Sequence, residues 1–242
     1  MGDIIGRITT SLASFNKIDV AVVIIIAMFA IVDFKKGFIK AAFGFLPSVL
    51  AFIAAYFISP SVCALIKGTS MFYQMKEKIM GFLDIKNIGS SESLIFQNEI
   101  IENMKLPEIF KNSILEKSLE NQNLINTKGI TNYIAGYIAS AILGVLVFIV
   151  VFFIIKLLFT QTLYLLDFIL KLPILNIFNS AGGLAIGIVK GVFFIWFFFL
   201  IATLFFHKPF FEYIIEEAQN SAFSVYLYQN NFLLYLLLKI LL

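Results

Sequence analysis

The chain has 242 residues, of which 60% are hydrophobic and 14% are charged, and its formal net charge is +3. Soluble globular proteins average about 45–50% apolar and about 25% charged residues. The composition therefore excludes a disordered chain and an ordinary soluble enzyme. It also excludes a nucleic-acid binder, because no basic cluster is dense enough to neutralise a phosphate backbone.

A helix needs about 20 mainly apolar residues to cross a membrane, and four segments meet this requirement. Residues 1–17 precede them as a short amphipathic segment, which lacks the apolar core of a cleavable signal. The predicted spans are Ile18–Phe34, Phe38–Ile58, Ile134–Ile155 and Ala181–Phe206. The sequence therefore predicts an all-α membrane protein with four transmembrane helices.

The first predicted span carries an acidic residue near each end. Its uncharged centre is short, and Asp19 and Asp33 lie at its two edges. Because a carboxylate is costly in hydrocarbon, this helix crosses the membrane only if both side chains lie near the interfaces or face protein.

A tight basic turn joins the first two spans. Gly37 permits the sharp chain reversal, and Lys35, Lys36 and Lys40 flank it. Lysines near the ends of spans favour the cytoplasmic side of a membrane. We therefore expect this turn on the cytoplasmic face, with both termini and the long loop outside the cytoplasm.

Two prolines shape the second predicted span. Pro47 is expected to kink the helix, which a membrane helix tolerates because its neighbours satisfy the freed carbonyl group. Pro60 is expected to end it. Residues 18–60 are thus predicted to form the first two transmembrane helices.

A polar insertion, residues 61–131, separates the second and third spans. Apolar residues recur at helical spacing in Met71–Leu83, in Ser93–Met104 and after Pro107, where Pro107-Glu108 is a good helix start. These patterns predict two or three short amphipathic helices that form a small extramembrane lid. A flexible loop is the alternative.

Residues 132–206 are predicted to hold the third and fourth spans with an interfacial helix between them. In Lys156–Asn179, polar residues recur every three or four positions opposite an apolar face, and Pro173 ends the pattern. This is typical of an amphipathic helix at the membrane surface. Residues 207–242 finish in the apolar stretch Phe232–Leu242, which is too short to span and is expected to dock on the membrane surface.

Small residues spaced by four positions mark the third and fourth spans. In lipid, this spacing lets helix backbones approach closely, so that van der Waals packing drives their association. The pattern indicates close packing but leaves two partners open: another helix of the same chain, or a second copy in a homo-oligomer. The residues are Gly136, Ser140 and Gly144 in the third span, and Gly183, Gly187 and Gly191 in the fourth.

One cation, Lys190, lies within the glycine face of the fourth span. An unpaired cation in hydrocarbon costs about 2.5–3.5 kcal/mol on insertion scales. Three arrangements would lower this cost. The ammonium group reaches one interface, or it pairs with Asp33 or Asp19, or it lines a polar transport path.

No catalytic or metal-binding arrangement is evident in the sequence. The chain has one cysteine, Cys63, and one histidine, His207, too few for a disulfide or a zinc framework. A glycine-rich phosphate loop and the common hydrolase motifs are also missing. We therefore expect a non-enzymatic protein without a cofactor.

Two stretches resemble the colicin V production protein (CvpA) family of bacterial inner-membrane proteins. The first is Ile18-Asp19, an apolar run and then the basic turn Asp33-Phe34-Lys35-Lys36-Gly37-Phe38-Ile39-Lys40. The second is Asn179-Ser180-Ala181-Gly182-Gly183, followed by Gly187 and by Lys190-Gly191. The family's last span has a similar Gly-x-x-x-Gly-x-x-(Lys/Arg)-Gly element.

The resemblance implies a multi-pass protein of the bacterial cytoplasmic membrane that supports production or secretion of the peptide toxin colicin V, or a wider envelope function. Its expected partners are the lipid bilayer and envelope or secretion proteins, and no nucleic acid. A small oligomeric transporter or channel is the alternative. In that case Lys190, Asp19 and Asp33 would lie near its path.

Overall fold

A computed structural model describes residues 15–82, 102, 108–120, 130–164, 177–206 and 208–241. Within these ranges the structure is helical and contains no strand, which confirms the predicted all-α class. The helices are α1 (Lys17–Lys36), α2 (Phe38–Lys67), α3 (Ser70–Phe82), α4 (Glu108–Glu120), α5 (Ile130–Tyr164), α6 (Ile177–Leu204), α7 (Pro209–Gln219), α8 (Ser224–Gln229) and α9 (Phe232–Leu241). The predictions for residues 1–14, most of Ser93–Met104, Pro107, Pro173 and His207 lie outside the described residues.

Three helices are long and apolar enough to cross a membrane: Phe38–Lys67, Ala135–Gln161 and Asn179–Leu204. They match the second, third and fourth predicted spans. Helix α1 matches the first predicted span in position but carries more charge than these three helices. Any 18 consecutive residues of α1 include Asp19, Asp33 and at least one lysine.

Two helices are longer than the sequence predicts. Helix α2 continues past Pro60 to Lys67. A proline inside an apolar helix is tolerated where neighbouring groups satisfy the backbone. Helix α5 continues through Lys156 to Tyr164. The first part of the predicted interfacial helix is therefore the end of α5, and its remainder, residues 165–176, lies outside the described residues.

The chain divides into two compact units. The first comprises Met1–Ala54 and Phe152–Asn231, and the second comprises Ala55–Val151 and Phe232–Leu242. The first unit is built on the packing of α1 along α6, the most extensive helix pair in the structure. Helices α7 and α8 pack on this pair.

The core of the first unit is an apolar cluster shared by these four helices. Burial raises the pKa of Tyr228, whose hydroxyl group hydrogen-bonds to Thr203, and its ring contacts the Phe199 ring edge to face. The phenol is therefore neutral at physiological pH. The buried members of the cluster are Val22, Ile195, Phe199, Ala202, Ile214, Ile215, Ala218 and Tyr228.

In the second unit, α9 packs against α4. The helix predicted after Pro107 is α4, and Ile114 on it is fully buried. One face of α9 is buried as well, through Leu233, Leu234, Leu237 and Leu238. The buried face of α9 packs within the protein, and the docking of this tail on the membrane surface stays a prediction.

Leu237→Ala tests the role of α9. Leu237 is 1% exposed and Tyr235, on the same helix, is 45% exposed. We expect Leu237→Ala to lower the free energy of unfolding by about 2–5 kcal/mol, because it leaves a cavity. Tyr235→Ala should have little effect. The measurement is thermal unfolding of the purified protein in detergent, and equal melting temperatures for the two variants would contradict the packing described.

Candidate functional site

The glycine face of α6 lies directly on the backbone of α1. A Cβ atom added at Gly187 would lie 2.6 Å from Ala30 Cα, and one at Gly191 would lie 2.9 Å from Ile26 Cα. One added at Gly183 would overlap the Asp33 carbonyl oxygen. Real Cβ atoms do not approach this closely, so no other residue fits without moving α1. These glycines pack within the chain, and their face is not open to a second copy.

The turn between α1 and α2 depends on the start of α6. Gly37 has a positive φ of 76°, which favours glycine, and a Cβ there would overlap the Asn179 side chain. The Ile39 amide donates to Asn179 Oδ1 at 3.4 Å. The two stretches that carry the family resemblance, one around Gly37 and one beginning at Asn179, therefore meet in space.

An ion pair links α1 to α6 between these backbone contacts. Lys190 Nζ lies 2.5 Å from Asp33 Oδ2, and Lys36 Nζ lies 3.4 Å from the other carboxylate oxygen. The Asp33 side chain is 2% exposed, whereas those of Lys190 and Lys36 are 13% and 53% exposed. Of the three arrangements open to Lys190, the structure shows pairing, and its partner is Asp33 rather than Asp19. Lys35, in the same turn, is exposed.

The pair holds the helices in register as well as in contact. A buried ion pair gives little net stability by itself, but removing one partner leaves an uncompensated buried charge that costs about 3–5 kcal/mol. The Lys190 ammonium also lies 5.8 Å from the centre of the Phe45 ring on α2. An aromatic face attracts a cation, so this contact adds α2 to the same site.

The other acidic residue of α1, Asp19, binds the C-terminal helices of the unit. Its carboxylate is fully buried. It accepts hydrogen bonds from the amides of Ala222 at 2.9 Å, Phe223 at 3.2 Å and Ser224 at 2.6 Å, and from the Ser224 hydroxyl at 2.6 Å. Next to it, Asn16 donates to the Glu217 carbonyl at 2.6 Å. Both acidic residues of α1 thus face protein.

The partners of Asp19 were not predicted from the sequence, although one of its interactions, the capping box at the start of α1, has a recognisable sequence pattern. Asn16 and Asp19 form a capping box at the start of α1, in which each side chain binds the other residue's backbone amide. The Asn-x-x-Asp spacing is recognisable in the sequence. The pairing with Ser224 is not, because it joins residues 205 positions apart.

A cavity of about 320 Å³ lies within the first unit beside the ion pair. Its polar groups are the ammonium groups of Lys156 and Lys190 and the hydroxyl group of Ser48. The Lys156 ammonium lies 5.7 Å from the centre of the Phe152 ring. The rest of the lining is Phe29, Gly44, Phe45, Phe152, Phe153, Phe193, Phe194 and Phe197. No pattern in the sequence predicts this cavity, since its walls come from four helices.

The small residues of the third predicted span lie in the second unit. Gly144 is buried, Ser140 is half-buried, and a Cβ added at Gly136 would make an ordinary contact of 3.6 Å with Lys76 Cε. Over the residues described, no group of three or more His, Cys, Asp or Glu side chains could hold a metal ion.

Gly187→Leu tests the α1–α6 contact, with Gly44→Leu as a matched control. An added side chain at Gly187 would collide with the α1 backbone, whereas Gly44 has open space around it. We expect Gly187→Leu to destabilise the protein by at least about 1–3 kcal/mol, the usual cost of overpacking. Gly44→Leu should be neutral or stabilising, since leucine favours helix over glycine. Thermal unfolding in detergent measures both, and an unaffected Gly187→Leu protein would contradict this packing.

The sequence model of the colicin V production protein family matches residues 126–230, which contain α5, α6, α7 and α8. Helix α1 lies outside the match, yet it is the main packing partner of α6. Searches of the curated proteins and of the solved structures give no significant match. The resemblance inferred from the sequence is thus confirmed for residues 126–230, which match the colicin V production protein family.

Proposed function

We propose that the protein is a four-span, non-enzymatic protein of the bacterial cytoplasmic membrane. It supports production or secretion of a colicin V-like peptide toxin, or a related envelope function, through contacts with partner proteins. The family match supports this type of role. Three apolar helices support the membrane location, and α1 supplies the fourth span.

Helix α1 suits a membrane despite its charges. Asp33 and Asp19 are both buried against protein, where each has partners. The opposite side of α1 is apolar and exposed, through Val20, Val23, Ile24, Met28 and Ile31. A polar side chain in a membrane helix normally faces the bundle while the outer surface meets lipid, and α1 has this arrangement.

The observation that carries the proposal is the use of Asp19, Asp33 and Lys190 as internal contacts. A supporting membrane protein needs such residues only to hold its helices together. A transporter needs them free to meet a substrate or an ion. Asp19 is fully buried and accepts four short hydrogen bonds from the segment that starts α8, which leaves it no free face for transport.

One observation favours the transporter or channel as a second candidate. Lys190 lines the cavity of the first unit, so one charged group of the proposed path does meet an open space. The assembly that this candidate needs is less well supported. The glycine face of α6 is filled by α1 of the same chain, and an oligomer would need another surface.

The orientation follows from the basic turn. Lys35, Lys36 and Lys40 are all exposed around Gly37. Because such residues collect on the cytoplasmic side, we place the turn in the cytoplasm, and the termini and the insertion between α2 and α5 outside it.

The double variant Asp33→Asn/Lys190→Met separates the two candidates. It removes both charges together, so no unpaired charge stays buried. In a host that exports a colicin V-type toxin, we expect it to restore toxin export, per molecule of membrane protein, to a gene deletion strain. Lys190→Met alone should instead reduce the amount of folded protein, because Asp33 loses its closest partner.

Lys35→Met is the matched control, since it removes an exposed lysine from the same turn. It should behave as the wild type does. If the double variant reaches wild-type abundance in the membrane and yet fails to restore export, the charges themselves are needed. That result would contradict the supporting role and favour the transporter.

A further inference from the structure

The cavity of the first unit has more positive than negative charge around it. Asp33 supplies one negative charge, which Lys190 and Lys36 share. Lys156, which α5 contributes to the lining, contacts the Phe152 ring. In the described parts of the chain, no carboxylate lies within ion-pair distance of Lys156. Within the part of the chain that the structure describes, two of the three positive charges therefore lack a compensating negative charge.

The surroundings of these charges are apolar. Phenylalanines form most of the cavity wall. On α5 beside Lys156, the surface is apolar as well, since the side chains of Ile154, Leu157 and Leu158 are each more than half exposed. A cation in such a place is stabilised when an anion joins it, because the pair avoids the cost of a lone charge in hydrocarbon.

We propose that this cavity binds the phosphate headgroup of an anionic phospholipid. Lys156 and Lys190 hold the phosphate oxygens, and Ser48 supplies a hydroxyl for the glycerol part. The volume of about 320 Å³ lies at the lower end of the range of about 300–1,000 Å³ for small-molecule pockets, which suits a headgroup but not two acyl chains. The chains lie outside, along the exposed apolar side chains of α5.

The aromatic lining favours a lipid over a soluble anion. A free phosphate ion that entered the cavity would lose its hydration shell. In return it would contact only two ammonium groups and one hydroxyl group. A phospholipid reaches the same cations from the bilayer and keeps its apolar part in hydrocarbon. The proposal uses the cavity alone and does not depend on the role in toxin export.

Two variants remove the site in different ways. Lys156→Gln deletes the cation that has no carboxylate partner among the described residues, and leaves the Asp33–Lys190 pair intact. Gly44→Leu fills the cavity, because a side chain at Gly44 enters open space rather than meeting backbone. Lys40→Gln is the matched control. It removes an exposed lysine near the same end of α2 that does not line the cavity.

The experiment is native mass spectrometry of the protein released from nanodiscs that contain equal amounts of phosphatidylglycerol and phosphatidylethanolamine. We expect the wild type and Lys40→Gln to retain one phosphatidylglycerol in preference to phosphatidylethanolamine. Retention should fall about fivefold in Lys156→Gln, the effect of one lysine near a membrane surface. It should fall at least as far in Gly44→Leu.

Three results would overturn the proposal. One is equal retention of the two lipids by the wild type. Another is unchanged retention of phosphatidylglycerol in Gly44→Leu, which would place the lipid elsewhere on the surface. The last is displacement of the bound lipid by millimolar inorganic phosphate or glycerol phosphate added to the nanodiscs, which would identify the site as one for a soluble anion. Thermal unfolding of each variant verifies that it is folded.

Discussion

The close contact between the α6 glycines and the α1 backbone is the constraint on which the first unit depends. Because Gly183, Gly187 and Gly191 carry no side chain, α1 lies against α6 over its length. This approach brings Lys190 within reach of Asp33 and sets Asn179 beside the Gly37 turn. A bulkier residue at any of these positions would push α1 away from α6. It would thereby separate Lys190 from Asp33 and Asn179 from the Gly37 turn.

The same contact explains how a charged helix belongs to an apolar bundle. By composition α1 is a poor membrane helix, since Asp19 and Asp33 fall within every window long enough to span. In the structure each carboxylate has a partner at one end of the helix. Asp33 forms an ion pair with Lys190, and Asp19 accepts hydrogen bonds from the segment around Ser224. Helix α1 therefore carries its charges inward and its apolar residues outward, as a span among protein neighbours does.

Much of the architecture was predictable from residue spacing, while the partners were not. Small residues four apart on α6 predicted a close helix contact, but nothing in one sequence chose between α1 and a second copy. The packing of α9 on α4 was not predicted either, because a leucine-rich face suits lipid and protein surroundings alike. The family match covers residues 126–230 and omits α1, although the basic turn that follows α1 contacts the start of α6 through Asn179.

Thiol cross-linking of Phe29→Cys with Phe194→Cys, in a Cys63→Ser background, tests the α1–α6 contact most directly. The centres of the Phe29 and Phe194 rings lie 5.6 Å apart, and neither residue belongs to the glycine face, so the substitutions leave the close backbone contact intact. In native membranes, after cleavage at a protease site inserted between α3 and α4, we predict that mild oxidation keeps the two fragments joined as one monomer. Separate fragments, or a cross-linked dimer of the uncut chain, would contradict the account.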